Sequence, residues 1–169
     1  HDPGIKRALI DPFSLTPGFK GPRQPNDHVA EYDALAKSWT APFVMAPINT
    51  KNVHRTNFLL GHPYGTDFVY DEMMVAPGVG EIARVTTETF ATMVSLVATG
   101  GLKPGGGPTR EERAKGFYDI LFLGELPGGG RVEAVVTGDR DPGYGSTSKM
   151  IAESALCLVR DVQGGGGIW

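Results

Sequence analysis

The sequence predicts an α+β fold in which a small sheet of three or more strands, mixed or antiparallel, is covered by two or three helices. Two strand-like runs separated by a glycine-rich turn occupy residues 116–138, and helical runs occupy residues 79–99 and 146–160. The 169 residues are 40% hydrophobic and 21% charged, a composition that supports one sizeable core. We therefore expect a single globular domain.

The first 39 residues differ in composition from the rest. Residues His1 to Trp39 are rich in Pro, Gly and Asp and hold only short apolar pieces. We expect an extended interdomain segment, with a helical turn near Val29 to Ala36. An irregular stretch of this length is unusual inside a compact domain. The predicted α+β domain therefore covers residues 40–169.

The next segment, TAPFVMAP, is apolar and leads into a helical run with many polar residues. Asn49 or Thr50 can cap this helix, and Gly61 is well placed to end it. Its polar side chains either form a solvated face or line a cleft that contacts substrate or cofactor. The second alternative makes Asn49, Arg55 and Asn57 candidate substrate-binding residues.

The middle of the chain predicts a turn, a strand and a long helix. A turn at His62 to Gly65 precedes the apolar run Asp67 to Ala76, which we predict to be a strand. The run from Val79 to Thr99 combines a helical stripe with many β-branched residues, and its length favours a helix.

Further along, a short helix and a β-hairpin are predicted. Thr109-Arg110-Glu111-Glu112 has the spacing of a capping box, which is typical of a helix start. The runs FYDILFLGEL and RVEAVVTGD flank Pro127 to Gly130, and this arrangement predicts a hairpin.

The stretch from Gly138 to Val159 joins a polar turn to a helix that is apolar around most of its circumference. Such a helix is usually buried on several sides, so we expect residues 146–160 at the centre of the domain and Cys157 as an inert core residue. Unpaired N–H groups at the helix start would favour an anion. The turn is therefore the best candidate for polar chemistry.

The same turn is close to a nucleotide-binding motif without matching it. Gly143-Tyr144-Gly145 and Ser148 give G-x-G-x-x-S, in which serine replaces the third glycine of the dinucleotide fingerprint. The preceding strand is expected to be antiparallel, which does not suit a βαβ unit. We therefore predict that this turn does not bind a dinucleotide. The four histidines lack metal-ligand spacing, so no metal site is predicted either.

Composition narrows the possible partners. A net charge of −3 and a pI near 5.8 argue against a nucleic-acid partner, and no apolar run reaches the length of a transmembrane segment. The single cysteine cannot form an internal disulfide, which suggests the cytoplasm. The chain starts at His1 and stops at Trp169 after four glycines, so we expect a piece of a longer protein.

Several long motifs, which together span almost the whole chain, resemble one family. They are TAPFVMAPINTKNVHRTNFLLGHPYG, KPGGGPTREERAKGFYDILFLGE, VTGDRDPGYGSTSKMIAESALCLV, GGGGIW and the earlier LIDPFSLTP. The chain in these parts resembles the saccharopine dehydrogenase-like oxidoreductases, in particular the group of trans-acting enoyl reductases.

The resemblance implies a two-domain enzyme whose N-terminal Rossmann domain, not contained in this sequence, binds NAD or NADP. It therefore also implies no cofactor-binding residue within this chain. This chain would then be the second, C-terminal domain, which shapes the substrate site and forms a homodimer, and it would be inactive alone. The implied reaction is hydride transfer to a polarised C=C or C=N bond of a small-molecule or lipid-like substrate. The alternative is a non-catalytic module that binds a lipid or acyl group, or a structural dimerisation module.

Polarity and position suggest roles for seven residues in such an enzyme. We expect Tyr144 or Lys149 to donate a proton or to polarise a carbonyl. The candidate substrate-binding residues are Asn49, Arg55, Asn57, Asp139 and Asp141.

Overall fold

The computed structural model describes residues 2–25, 29–76, 78–98 and 106–163. The chain divides into two compact units, His1–Gly101 and Leu102–Trp169. The predicted domain organisation stays a prediction. The α+β class is confirmed, but the one predicted sheet is instead two antiparallel sheets, one in each unit. Within the described ranges, no helix has the length and apolar character needed to cross a membrane.

The first unit combines three helices with a three-stranded sheet. Its elements are α1 (Pro3–Ile10), β1 (Glu31–Asp33), β2 (Ser38–Pro42), α2 (Ala46–Leu59), β3 (Met73–Ala76) and α3 (Val79–Ala98). The central strand is β2, and its residue Thr40 is in register with Glu31 of β1 and Val75 of β3. The predicted helix from Val79 is confirmed, up to Ala98.

The segment expected to be extended, residues 1–39, is more regular than its composition suggests. It contains α1, β1 and the start of β2. Helix α1 forms because the Asp2 side chain accepts a hydrogen bond of 2.7 Å from the Gly4 N–H, and Pro3 occupies the first helical position. The helical turn expected near Val29 to Ala36 is wrong, because β1 lies there. The functional division of the chain at residue 40 stays a prediction.

The strand predicted for Asp67 to Ala76 is only partly correct. The Tyr70 N–H donates to Oε1 of Gln24 at 3.0 Å, and the Phe68 carbonyl accepts from Nε2 of the same side chain at 3.4 Å. The Gln24 side chain thus forms the hydrogen bonds that a neighbouring strand would otherwise form with the backbone of Phe68 and Tyr70. Strand β3 therefore begins only at Met73.

Helix α2 begins three residues earlier than the predicted cap, at Ala46, with Pro47 in its first turn. Its end is as predicted, because Gly61 directly follows the C-cap residue and has a φ of +75°. This left-handed conformation is cheap only for glycine, and it turns the chain away from the helix axis.

The interpretation of the α2 polar residues as a solvated face is wrong for three of them. The buried residues of α2 are Ala46, Thr50, His54 and Asn57. They share one face because their spacings are close to one or two helical turns. His54 belongs to a group of rings that we call the aromatic cluster: Phe13, Phe19, His54, Phe58, His62 and Phe68.

The second unit is a hairpin with two helices. Its elements are α4 (Arg110–Lys115), β4 (Tyr118–Glu125), β5 (Arg131–Gly138) and α5 (Gly145–Arg160). The predicted capping box is confirmed, since the Thr109 N–H donates to Glu112 at 2.7 Å and the Glu112 N–H donates to Oγ1 of Thr109 at 3.2 Å. The predicted hairpin is also confirmed, with Phe122 opposite Ala134.

One face of this hairpin is apolar along its whole length. The side chains that alternate onto it include Ile120, Phe122, Val132 and Val136, and each is at least 44% exposed. An isolated two-stranded hairpin is marginally stable in water and normally needs a layer packed against it. This apolar surface therefore has the composition of a contact face.

Helix α5 has the predicted extent, but its predicted burial is wrong. Val159 is 83% exposed and Ile151 is 69% exposed, and Cys157 is exposed as well. The apolar composition of a helix indicates that it has partners, but it does not say which part of the protein provides them. Among the residues described for this unit, Ser146 is the one buried residue of α5.

Candidate functional site

The predicted site residues fall into two groups, one in each unit. Asn49, Arg55 and Asn57 lie on α2, whereas Asp139, Asp141, Tyr144 and Lys149 lie in or next to the turn before α5.

Asn49 belongs to a half-buried hydrogen-bond network that the sequence did not reveal. Its Nδ2 donates to Oε2 of Glu72 at 2.8 Å, and Oε1 of the same carboxylate accepts from the Tyr70 hydroxyl at 2.7 Å. Burial, followed by the hydrogen bond to Glu72, raises the pKa of Tyr70 well above its ordinary value. The Tyr70 hydroxyl therefore stays protonated as a donor to the carboxylate.

The other two α2 candidates make contacts to the backbone. Arg55 donates from Nη1 to the Leu15 carbonyl at 2.8 Å on an exposed surface. Asn57 is 3% exposed, and its amide donates to the Gly65 carbonyl at 2.9 Å and accepts from the Tyr64 N–H at 3.0 Å. These two hydrogen bonds close the turn that follows α2, and they explain why a polar side chain is buried at position 57. A substrate contact for Arg55 or Asn57 stays a prediction.

Two histidines of the aromatic cluster have buried nitrogens without a hydrogen bond among the described residues. They are Nε2 of His54 and Nδ1 of His62, the latter in a residue whose φ is +65°. The His54 ring lies 4.5 Å from the Phe13 ring, and burial lowers the pKa of His54 below its ordinary value of 6.5. His54 thus behaves as a neutral aromatic ring of the core.

Acid is expected to destabilise the first unit through His54. Because the folded pKa is lower than the unfolded one, the unfolded chain binds the proton more readily, and stability falls as pH drops below 6.5. We expect the thermal midpoint of the chain to be lower at pH 5.5 than at pH 7.5. In the variant His54→Phe this pH-dependent difference should shrink. An unchanged pH dependence in that variant would place the acid sensitivity elsewhere.

The turn before α5 is organised by Asp141. Its carboxylate accepts hydrogen bonds from the N–H groups of Gly143, Tyr144 and Gly145, at 3.1, 2.8 and 2.7 Å. The backbone hydrogen bonds, led by the one from Gly145, hold the pKa of Asp141 below its usual range. The anion expected at this helix start is therefore supplied by the chain itself. Substrate binding by Asp141 stays a prediction.

Tyr144 is the N-cap residue of α5, and it is 43% exposed. Its ring passes Gly107 so closely that a Cβ atom on this glycine would lie 3.4 Å from Cζ. Lys149 lies in the second turn of α5 and Asp139 at the start of the turn, both exposed. Among the residues that the structure describes, the Tyr144 hydroxyl and the side chains of Lys149 and Asp139 have no hydrogen bond or ion pair, so all three are available to a ligand.

Sequence reasoning missed three arginines next to this turn. Arg110, Arg113 and Arg140 line one pocket of about 300 Å³. In the sequence they are divided between a short helix and a turn, on either side of the hairpin. No local pattern connects them.

The chain is similar over most of its length to mycobacterial proteins of one name. It is 33% identical over 184 residues to a protein of Mycobacterium tuberculosis (strain H37Rv) that is provisionally named a trans-acting enoyl reductase. It is 31% identical over 187 residues to a trans-acting enoyl reductase of Mycobacterium bovis and 29% identical over 190 residues to one of Mycobacterium ulcerans. The similarity supports the enoyl reductase-like group that the motifs resemble.

The coverage of these alignments is unequal. Each includes 95% of this chain but 44% of the relative, so the chain spans less than half the length of the curated relatives it matches. No protein-family model and no solved structure matches the chain.

Proposed function

We propose that this chain is the substrate-binding and dimerisation domain of an enoyl reductase-like oxidoreductase of the saccharopine dehydrogenase-like family. The observation that carries the proposal is the similarity over 95% of the chain to proteins named trans-acting enoyl reductases. Since the chain spans 44% of their length, the proposed parent has room for a separate cofactor domain. The reaction of the parent would be hydride transfer to a polarised C=C or C=N bond of a small-molecule or lipid-like substrate.

The proposed cofactor is NAD or NADP, held by an N-terminal Rossmann domain outside this chain. It would supply the hydride. The turn before α5 does not suit the cofactor pyrophosphate, because the N–H groups of Gly143, Tyr144 and Gly145 already bind the Asp141 carboxylate. This geometry supports a cofactor site elsewhere in the parent.

The proton in this proposal comes from the turn before α5. Reduction of a C=C bond beside a carbonyl needs a hydride, a proton and a group that stabilises charge on the carbonyl oxygen. The exposed Tyr144 hydroxyl can donate a hydrogen bond or a proton, and Lys149 can stabilise negative charge. Asp139, Asn49 and Arg55 are proposed to contact the substrate.

Dimerisation is proposed from the apolar hairpin face. Ile120, Phe122, Val132 and Val136 form a continuous exposed apolar surface, which is unusual for a part of a protein that meets only water. This surface also favours the second candidate function, a non-catalytic lipid-binding or dimerisation module. The cytoplasmic location stays a prediction.

Activity of the full-length parent tests the proposal directly. We expect NAD(P)H to bind the parent far more tightly than the 169-residue chain, which should also show no reductase activity. In the parent, Tyr144→Phe should lower kcat by about 100-fold, the scale of one general acid, and Lys149→Ala should also slow turnover. Stopped-flow fluorescence of NAD(P)H would measure both binding and turnover with an enoyl thioester.

The matched control is Tyr32→Phe, which removes an exposed tyrosine hydroxyl from β1. Its turnover should equal that of the unaltered parent. If the Tyr144 and Lys149 variants were both fully active, neither residue would take part in the reaction. A parent that neither binds NAD(P)H nor reduces an enoyl group would favour the non-catalytic module.

A further inference from the structure

The second unit contains a pocket with an unusual concentration of positive charge. Its volume is about 300 Å³, and Arg110, Arg113 and Arg140 line it together with Ala114, Gly145 and Ser148. Two of the arginines lie on α4, and the third follows β5. The volume is at the lower end of the range for small-ligand sites.

None of the three guanidinium groups forms a hydrogen bond or an ion pair within the described part of the chain, although the Arg113 charge contributes to the lowered pKa of Asp141. The two carboxylates of α4 are engaged elsewhere. Glu111 pairs with Lys115 at 2.6 Å, and Glu112 closes the capping box at Thr109.

This concentration of charge is local. Residues 106–163 include seven Lys or Arg and nine Asp or Glu, so the positive charge of the pocket is not part of a generally basic surface. Like charges that line the same pocket repel one another, and an anion placed among them removes this cost.

Hydrogen bonds hold the main chain of Arg113 and of Arg140 in place. The Asp141 N–H donates to the Arg113 carbonyl at 3.0 Å, and Oγ of Ser146 donates to the Arg140 carbonyl at 3.3 Å. The turn and the end of α4 are therefore joined before any ligand binds. Pre-organisation of this kind lowers the entropy lost when a ligand is bound.

We propose that Arg110, Arg113 and Arg140 form a binding site for a phosphate group, as a phosphate monoester or a pyrophosphate. A guanidinium group presents a planar fork of donors that fits phosphate oxygens, and several such forks around one group are typical of phosphate recognition. A carboxylate has only two oxygens for three guanidinium groups. The phosphate site depends on side chains and not on the start of α5, whose N–H groups Asp141 occupies.

Calorimetric titration of the 169-residue chain with pyrophosphate at low ionic strength tests this site. We expect saturable binding of one pyrophosphate per chain. Arg113→Gln and Arg140→Gln should each weaken binding by about tenfold or more, the loss that follows from one charged hydrogen-bond donor. The pyrophosphate affinity of Arg113→Lys should lie between that of the glutamine variants and that of the unaltered chain. Lysine keeps the positive charge but lacks the planar pair of donors of a guanidinium group.

Arg160→Gln is the matched control, since it removes from the other end of α5 an arginine that also has no hydrogen bond or ion pair among the described residues. It should leave the affinity unchanged, and circular dichroism should show the same helix content in all variants. If Arg160→Gln weakened pyrophosphate binding as much as the pocket variants do, the binding would be nonspecific charge attraction. That result would overturn the site. Absence of saturable binding by the unaltered chain would overturn it as well.

Two further titrations define the ligand class. Glycerol 3-phosphate tests a monoester, and succinate tests a dicarboxylate of similar charge. Tighter binding of glycerol 3-phosphate than of pyrophosphate assigns a monoester, and the reverse order assigns a diphosphate. Succinate binding as tight as the better phosphate ligand would overturn the phosphate assignment. The site does not depend on the reductase proposal, since none of these probes requires turnover.

Discussion

Replacement of Asn57 by alanine is expected to lower the free energy of unfolding by about 2–3 kcal/mol. Asn57 is buried and holds both the Gly65 carbonyl and the Tyr64 N–H, at 2.9 and 3.0 Å. Alanine would remove both hydrogen bonds and leave these backbone groups without their partner. Chemical denaturation followed by circular dichroism measures the change.

Asn52→Ala is the control for this variant, because Asn52 is an exposed asparagine on the same helix. Its stability should stay within about 0.5 kcal/mol of the unaltered chain. Asn57→Asp should destabilise the chain at least as much as Asn57→Ala, because its buried carboxylate would face the Gly65 carbonyl oxygen without a hydrogen to donate. Equal stabilities of the Asn57 and Asn52 alanine variants would contradict the role of Asn57 in closing the turn.

The role of Asn57 also bears on how activity data should be read. A variant that opens the turn from Asn57 to Gly65 would disturb the nearby aromatic cluster, in which His62 packs 4.3 Å from Phe19. Loss of activity in an Asn57 variant would therefore not show that Asn57 contacts substrate. Arg55 and Asn49 are better probes of a substrate contact, since neither side chain is fully buried.

Local sequence patterns predicted the local structure well. The capping box at Thr109, the hairpin, the extent of α5 and the helix end at Gly61 each depend on residues close together in the chain. For each of them the hydrogen bonds or the backbone conformation are determined within a few residues. A sequence pattern can therefore identify them directly.

Long-range pairing could not be predicted in this way. The pattern of β3 did not reveal that its partner is β2, a short strand that ends at Pro42. The buried position of His54 depends on Phe13 and Phe68, which come from two other parts of the chain. The choice between a solvated face and a cleft for α2 therefore missed the observed packing, in which His54 is buried within the aromatic cluster.

An anion was correctly expected at the start of α5, but it comes from the chain itself. The start of this helix does attract negative charge, as the polarity of its N–H groups requires. That charge is the Asp141 carboxylate, which lies only two to four residues before its three donors. The proposed external anion instead binds arginines from the segments before and after the hairpin. These arginines are far apart in the sequence.

Gly116→Ala is expected to destabilise the second unit by about 1–3 kcal/mol, the usual cost of forcing an extra carbon into a packed position. A Cβ atom on Gly116 would lie 2.5 Å from both the N and the Cα atoms of Asp141. These are backbone atoms, so relief requires the turn to move away from the end of α4. The φ of Gly116 is −66°, so alanine fits the local conformation and the cost is purely one of contact.

Gly80→Ala is the matched control, because nothing lies within 4 Å of a Cβ atom at that position in α3. It should leave the unfolding free energy unchanged or raise it by up to about 1 kcal/mol, since alanine favours helix more than glycine does. The displacement caused by Gly116→Ala should also separate Arg113 from Arg140 and weaken pyrophosphate binding. A Gly116 variant with the stability of the unaltered chain would show that close contact between α4 and the turn does not stabilise this unit. If Gly116→Ala lowered stability but left pyrophosphate affinity unchanged, the position of the turn would not determine binding at the proposed phosphate site.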